Sequence, residues 1–252
     1  MQINRAEMIS FGAGVNSVAM TILLVNEGWR GPIIFADPGG EHPETYCYLE
    51  YFERDFLRPH GLEIMRLTPA THAELYDVKR HGGIADSLEA FCLMQGIIPL
   101  LSVRWCSVMF KREPLETWRQ ANDIAQSLQG MTIDEPARIR DGDSTVRYPL
   151  DERGINRAEC RRIIQRAGLE VPRKSGCFFC PGQSLSQWRN LYLEYPELFE
   201  RAIQLEENAA TYNQKWATLD PHGVRLEDMR ARRWQGLVQM DLTAWLPCAC
   251  RL

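Results

Sequence analysis

From Met8 to Leu67 apolar runs and polar breaks alternate with the spacing of an α/β protein. Met8 to Phe11 is an apolar run of strand length, and Val18 to Val25 is an apolar helix closed by Gly28. Pro32 to Asp37 reads as a second strand and Leu62 to Leu67 as a third. Between them a helix opened by Pro43 is expected to run to about Leu57. Such a β-α-β-α-β series predicts a Rossmann-like parallel sheet with helices on both faces and ligands at the carboxyl ends of its strands. Further on, His81-Gly82-Gly83 reads as a mobile loop and Leu88 to Gln95 as a short helix. Gly130 to Ile133 is expected to form another strand, with Asp134 and Glu135 at its end. Asn156 and Glu159 form a capping box opening a helix that Gly168 closes. Helices around Leu185 to Glu194 and Pro196 to Lys215 complete a helical C-terminal part, with Trp188, Leu191, Leu198 and Phe199 placed to pack on the first domain. Pro149 marks the expected boundary, dividing the chain into 1–148 and 149–252.

With 45% hydrophobic and 25% charged residues the chain has the composition of a soluble globular protein. No run reaches the length of a membrane span and the start lacks a signal pattern, so a cytoplasmic protein away from membranes is expected. A formal charge of −4 argues against wholesale coating of nucleic acid. One stretch departs from that balance. Between residues 153 and 174 seven basic side chains (Arg153, Arg157, Arg161, Arg162, Arg166, Arg173, Lys174) face two acidic ones (Glu159, Glu170). Two readings stay open for it, a surface for a polynucleotide backbone and a solvated helix face.

Eight cysteines without a secretion signal do not read as a disulfide framework. Cys47, Cys92 and Cys160 sit in helical apolar contexts and read as small core residues. Cys106, Cys177, Cys180, Cys248 and Cys250 lie in turn-like or glycine-flanked contexts suited to chemistry.

The stretch that organises the chain is Ile9-Ser10-Phe11-Gly12-Ala13-Gly14-Val15-Asn16-Ser17. A strand, a glycine-rich turn and a helix N-terminus make an anion cradle, because free N–H groups and the helix dipole both favour a phosphate. No Gly-Lys-Ser/Thr follows, and the spacing is not Gly-x-Gly-x-x-Gly. The stretch does resemble the PP-loop of the ATP pyrophosphatase superfamily, which includes PAPS reductases and thiolating enzymes. That resemblance implies an adenine nucleotide alpha hydrolase-like fold and ATP bound at Ser10, Phe11, Gly12, Ala13, Gly14, Asn16 and Ser17, together with Asp37. Asn16 stands where these loops usually carry Asp.

Three later segments fit the same resemblance. Phe35 to Thr45, with Asp37 and then Pro43-Glu44-Thr45, resembles the second signature of the PAPS reductase-like group. Arg104 to Leu115 resembles the family's Cys-Thr-x-x-x-Lys-x-x-Pro segment, with Ser107 for Thr. The expected catalytic set is Ser17, Asp37, Lys111 and Asp134. Lys111 and Arg112 read either as phosphate-facing cations or as a solvated helix face, and a carboxylate pair at Asp134-Glu135 is placed to hold Mg²⁺.

Ser175-Gly176-Cys177-Phe178-Phe179-Cys180-Pro181 is similar to the cysteine knuckle of iron–sulfur thiolating and DNA phosphorothioation-type members. A Cys-x-x-Cys by itself fits a redox pair, half a zinc site or half an iron–sulfur site. With Cys106, and with Cys250 or Cys248 as a fourth ligand or one iron left open, the resemblance implies a [4Fe-4S] cluster, zinc being the alternative. The expected function is an ATP pyrophosphatase that adenylylates a nucleic-acid acceptor for sulfur transfer, with a sulfur donor such as a cysteine desulfurase. A sulfonucleotide reductase is the rival enzyme, although Pro247-Cys248-Ala249-Cys250 does not match that enzyme's Glu-Cys-Gly-Leu-His motif. A nucleotide-binding accessory subunit without turnover is the rival of a different class.

Overall fold

The computed structural model describes residues 6–76, 85–139, 142–212, 217–232 and Trp234. Five strands, β1 (Glu7–Ser10), β2 (Ile33–Ala36), β3 (Ile64–Leu67), β4 (Gln126–Gln129) and β5 (Val146–Arg147), form one sheet in the order β3-β2-β1-β4-β5. Every neighbouring pair is parallel. The register explains the two-sided core. Ile9 pairs with Ile33 and Leu128, and Ile33 pairs with Ile64, so this rung faces one layer of helices. Met8, Ile34, Ala36 and Leu67 alternate to the other face.

Helices α1 (Val15–Asn26), α2 (Pro43–Phe52) and α6 (Arg157–Arg166) cover the first face, with α6 packed along α1. The second face is covered by α3 (Leu88–Gln95), α5 (Glu113–Ala121), α7 (Leu185–Glu194) and α8 (Pro196–Tyr212). The three-residue turn α4 (Trp105–Ser107) leads through a π-helical turn into α5, and α9 (Leu226–Ala231) docks on α8. Both apolar clusters contain residues from before and after Pro149. Among the described residues no helix is long and apolar enough to cross a membrane.

Most expected elements fall where the pattern put them; α3 and α7 match at both ends. The last long strand does not. It spans Gln126–Gln129, and Gly130 to Ile133 is the loop that leaves it. Only Leu128 gives that strand an apolar signal, and its place is set by main-chain pairing with Glu7–Ser10. Regular α2 stops at Phe52 and continues as a π turn over Glu53–Leu57. Its inward positions are Thr45, Leu49 and Phe52, which leaves Cys47 on the solvent side rather than in the core. Cys92 and Cys160 are fully buried as expected. His81-Gly82-Gly83, Cys248 and Cys250 lie outside the described residues.

Candidate active site

The chain runs from β1 to β2 and β3 on one side, then returns with β4 on the other side of β1. This reversal opens a crevice at the carboxyl ends of β1 and β4, the position where parallel sheets bind ligands. The β1 exit loop fills one wall. Ala13 takes φ +51, a left-handed conformation that costs a non-glycine residue about 1 kcal/mol and turns the chain sharply into α1. Ser17 Oγ accepts from the Gly14 N–H at 3.1 Å and donates to the Gly14 carbonyl at 3.0 Å. Its hydroxyl therefore closes the turn. Val18 N–H reaches the Gly14 carbonyl, while the N–H groups of Val15, Asn16 and Ser17 precede any helical acceptor. No acidic side chain sits in the first turn of α1 to compete with an anion.

The loop leaving β4 forms the opposite wall. A Cβ on Gly130 would stand 2.8 Å from Ser17 N and 2.9 Å from Asn16 C, so only glycine lets the two loops meet. Asn16 Nδ2 donates to Glu135 Oε2 at 2.7 Å, and Arg138 donates to Glu135 Oε1 at 2.7 Å. Asn16 Oδ1 is buried without a hydrogen-bond partner. Asp134 points elsewhere: it is exposed, and its Oδ2 accepts from the Arg157 N–H at 2.6 Å, holding the start of α6. Of the two adjacent carboxylates, Glu135 rather than Asp134 faces the α1 loop.

Asp37 ends β2 beside this crevice. Its Oδ1 accepts from Gly39 N–H and Tyr46 O–H, both at 2.8 Å. Burial pushes the Asp37 carboxyl up from its ordinary value, against the opposing pull of those two donors. Burial and the nearby Asp37 charge raise the Tyr46 hydroxyl well above the usual phenol range, so it stays a donor.

Residues 6–131, which carry this loop, Asp37 and β4, match the family model of the phosphoadenosine phosphosulfate reductase domain. The chain belongs to that family. An uncharacterized protein of Methanocaldococcus jannaschii is 24% identical over 222 residues, covering 79% of this chain, while the chain spans 41% of that protein's length. The phosphoadenylyl-sulfate (PAPS) reductase of Candida auris, solved as a phosphate complex, superposes with a TM-score of 0.47 at 15% identity, covering 68% of this chain and 81% of that one.

In this member of the PAPS reductase domain family the cysteine knuckle is drawn to the same edge of the sheet. Phe178 N–H donates to Gly40 O at 2.9 Å and His42 N–H to Gly176 O at 3.0 Å, making an antiparallel bridge between Glu41 and Cys177. Glu41 Oε1 in turn accepts from Lys111 Nζ at 2.6 Å, with the Glu41 side chain fully buried. Lys111, expected to face phosphate or solvent, instead locks the α4–α5 segment to the β2 exit loop. Arg112 is exposed. Cys106, Cys177 and Cys180 share one apolar cluster, and burial raises the Cys106 thiol above its ordinary value. Cys180 Sγ accepts from the Gly182 N–H at 3.4 Å. Yet among the described residues no three Cys, His, Asp or Glu side chains gather closely enough to hold a metal ion. The thiols have the chemistry of an iron–sulfur or zinc ligand set but not its arrangement, and Cys250 lies outside the described residues.

Sequence reasoning missed Glu41 and Arg138 and chose Asp134 over its neighbour. Nothing in the spacing distinguishes these residues, because a loop's turn decides which of two adjacent side chains points inward.

Proposed function

We propose that this PAPS reductase family member is an ATP pyrophosphatase that activates an acceptor for sulfur transfer. An acceptor oxygen attacks the α-phosphorus of ATP, the bond to the β-phosphate breaks, and pyrophosphate leaves. The terminal sulfur of a persulfide, passed on from a donor such as a cysteine desulfurase, then displaces AMP, which departs with the bonding electron pair, and a thiol reductant cleaves the remaining S–S bond while being oxidised to a disulfide. A nucleic acid is the acceptor that the basic stretch around α6 favours. The carrying observation is the cradle formed by Gly12 to Ser17: a buried helix start with free N–H groups and no lysine of the kind that serves γ-phosphate chemistry. Mg²⁺ would arrive with ATP and needs no protein cage; Asp37 and Glu135 are the carboxylates flanking the loop. An iron–sulfur cluster would require Cys106, Cys177 and Cys180 to close up from the arrangement described, and no step here depends on it. Iron and sulfide content of the anaerobically prepared protein and its Cys106→Ser variant tests that part.

Chromatography of ATP incubated with the protein and a nucleic-acid acceptor decides the main reading. AMP and pyrophosphate are expected, reduced in Ser17→Ala; ADP and orthophosphate refute it. The family description supports a second reading, sulfonucleotide reduction. Release of sulfite from PAPS in the presence of a dithiol would favour that one.

A further inference from the structure

A cleft of about 580 Å³, counting its open mouth, lies beside the phosphate loop, between Ala13, the N-terminal end of α2 and one face of α7. Tyr48 and Tyr195 present aromatic walls, Arg173 and Lys174 form a cationic rim, and Asn190 and Glu44 supply polar groups. The Tyr48 ring is held in place: its hydroxyl donates to Glu170 O at 2.7 Å and it stacks on Phe52 at 6.3 Å. Glu44 Oε1 accepts from Arg173 at 2.9 Å, while Glu44 Oε2 makes no hydrogen bond and lies 4.0 Å from His42 Nδ1. A carboxylate oxygen without a hydrogen bond keeps acceptor capacity to spare. The Asn190 amide makes no hydrogen bond among the described residues and is exposed.

Aromatic rings, an open acceptor and an amide together match a nucleobase, whose faces stack and whose edge offers N–H donors. The charges of Arg173 and Lys174 are offset by Glu44 and Glu194, which line the same cleft; Arg173 bonds both carboxylates and Lys174 bonds the Gly182 carbonyl. Attraction for a phosphate backbone has to come from outside the cleft. Arg161, Arg162 and Arg166 are exposed on α6, make no ion pair among the described residues, and precede the short connection from Gly168 to the rim at Pro172. A free mononucleotide has no use for that track, whereas a strand does.

We propose that the cleft receives one unstacked nucleotide of a single-stranded nucleic acid, with its base against the tyrosine rings, its N–H edge toward the Glu44 carboxylate and its flanking phosphates along α6. Naming that strand as the acceptor of the adenylyl group rests on the pyrophosphatase reading; the binding itself does not.

The test is fluorescence anisotropy of a labelled twelve-nucleotide single-stranded RNA, and of the matching DNA, with the full chain and no ATP present. Binding of at least one strand is expected, weakened about tenfold in Tyr195→Ala and in Glu44→Gln. Asn190→Ala, at an exposed position, is the variant least able to disturb folding and should weaken binding in the same direction. Replacing Arg161 and Arg166 by Ala should lower affinity and reduce the salt slope by ~1.4, two phosphates' worth for a single strand. Unchanged affinity in the Tyr195, Glu44 and Asn190 variants, with normal melting curves, overturns the proposal. So does displacement of the strand by AMP at equal concentration, which would mark a mononucleotide site. Because ATP is absent, failure of ATP cleavage and failure of strand binding are separate results.

Discussion

Asn16 Nδ2 and Glu135 Oε2 meet at 2.7 Å across 119 residues, both side chains buried. This contact ties the start of α1 to the exit of β4 and explains why an amide suits position 16. An aspartate there would set two carboxylates against each other, with Arg138 alone to offset them. Asn16→Asp should therefore destabilise the protein by about 1–3 kcal/mol at neutral pH. Repulsion raises the folded-state carboxyl pKa of the pair, so the lost stability should return as pH falls and a proton is taken up. Denaturant midpoints of wild type and variant at pH 5 and pH 8 check this; an equal gap at both values would show that charge is not the cause.

Two glycines of the crevice should respond in opposite ways. A methyl group on Gly130 meets Ser17 and Asn16 backbone below 3.0 Å, so Gly130→Ala should cost about 1–3 kcal/mol of stability. At Gly12 the nearest atom to an added Cβ is Ser17 Oγ at 4.0 Å. Gly12→Ala should leave the melting temperature near wild type yet, on the pyrophosphatase reading, weaken ATP binding about tenfold, because the methyl would stand where phosphates approach the backbone. Calorimetric melting and ATP titration of both variants separate the two roles.

Lys111 and Glu41 form a buried pair, and removing one member strands the other. Lys111→Met should cost about 3–5 kcal/mol by leaving the Glu41 carboxylate uncompensated. Adding Glu41→Gln to that variant should recover most of the loss. A double variant as unstable as the single one would show that Lys111 acts through other contacts.

Glu206 is a buried carboxylate on α8 that accepts the backbone N–H groups of Leu219 and Leu226, pinning the segment that leads into α9. Burial raises its pKa to about 7 from a model-peptide value of 4.5, the two N–H donors opposing. A raised folded-state pKa means that stability is fully present below the unfolded value and is lost as pH rises through the folded one. Unfolding free energy should therefore fall by about 3 kcal/mol from this group as pH goes from 4.5 to 7, at ~1.4 kcal/mol per unit. Glu206→Gln should flatten that slope in urea titrations taken across the window; an unaltered slope would remove Glu206 as its source.

Local order was legible in the sequence. The apolar runs of β1, β2 and β3, the glycine-rich turn, the Asn156–Glu159 capping box and the apolar positions of α7 each follow from residues a few places apart, where propensity, capping and periodicity act directly. Alternation of strands and helices carried the parallel sheet with them. What only the tertiary structure decided are meetings across the chain. Gln126–Gln129 is a strand because β1 offers it a ladder, although its side chains are mostly polar. Glu135 rather than Asp134 faces the loop because the turn after β4 points it there, and Lys111 finds Glu41 because the knuckle at Cys177 closes the same edge. Side-chain direction in loops and the pairing of distant charges depend on packing, and packing leaves no period in the sequence for a reader to find.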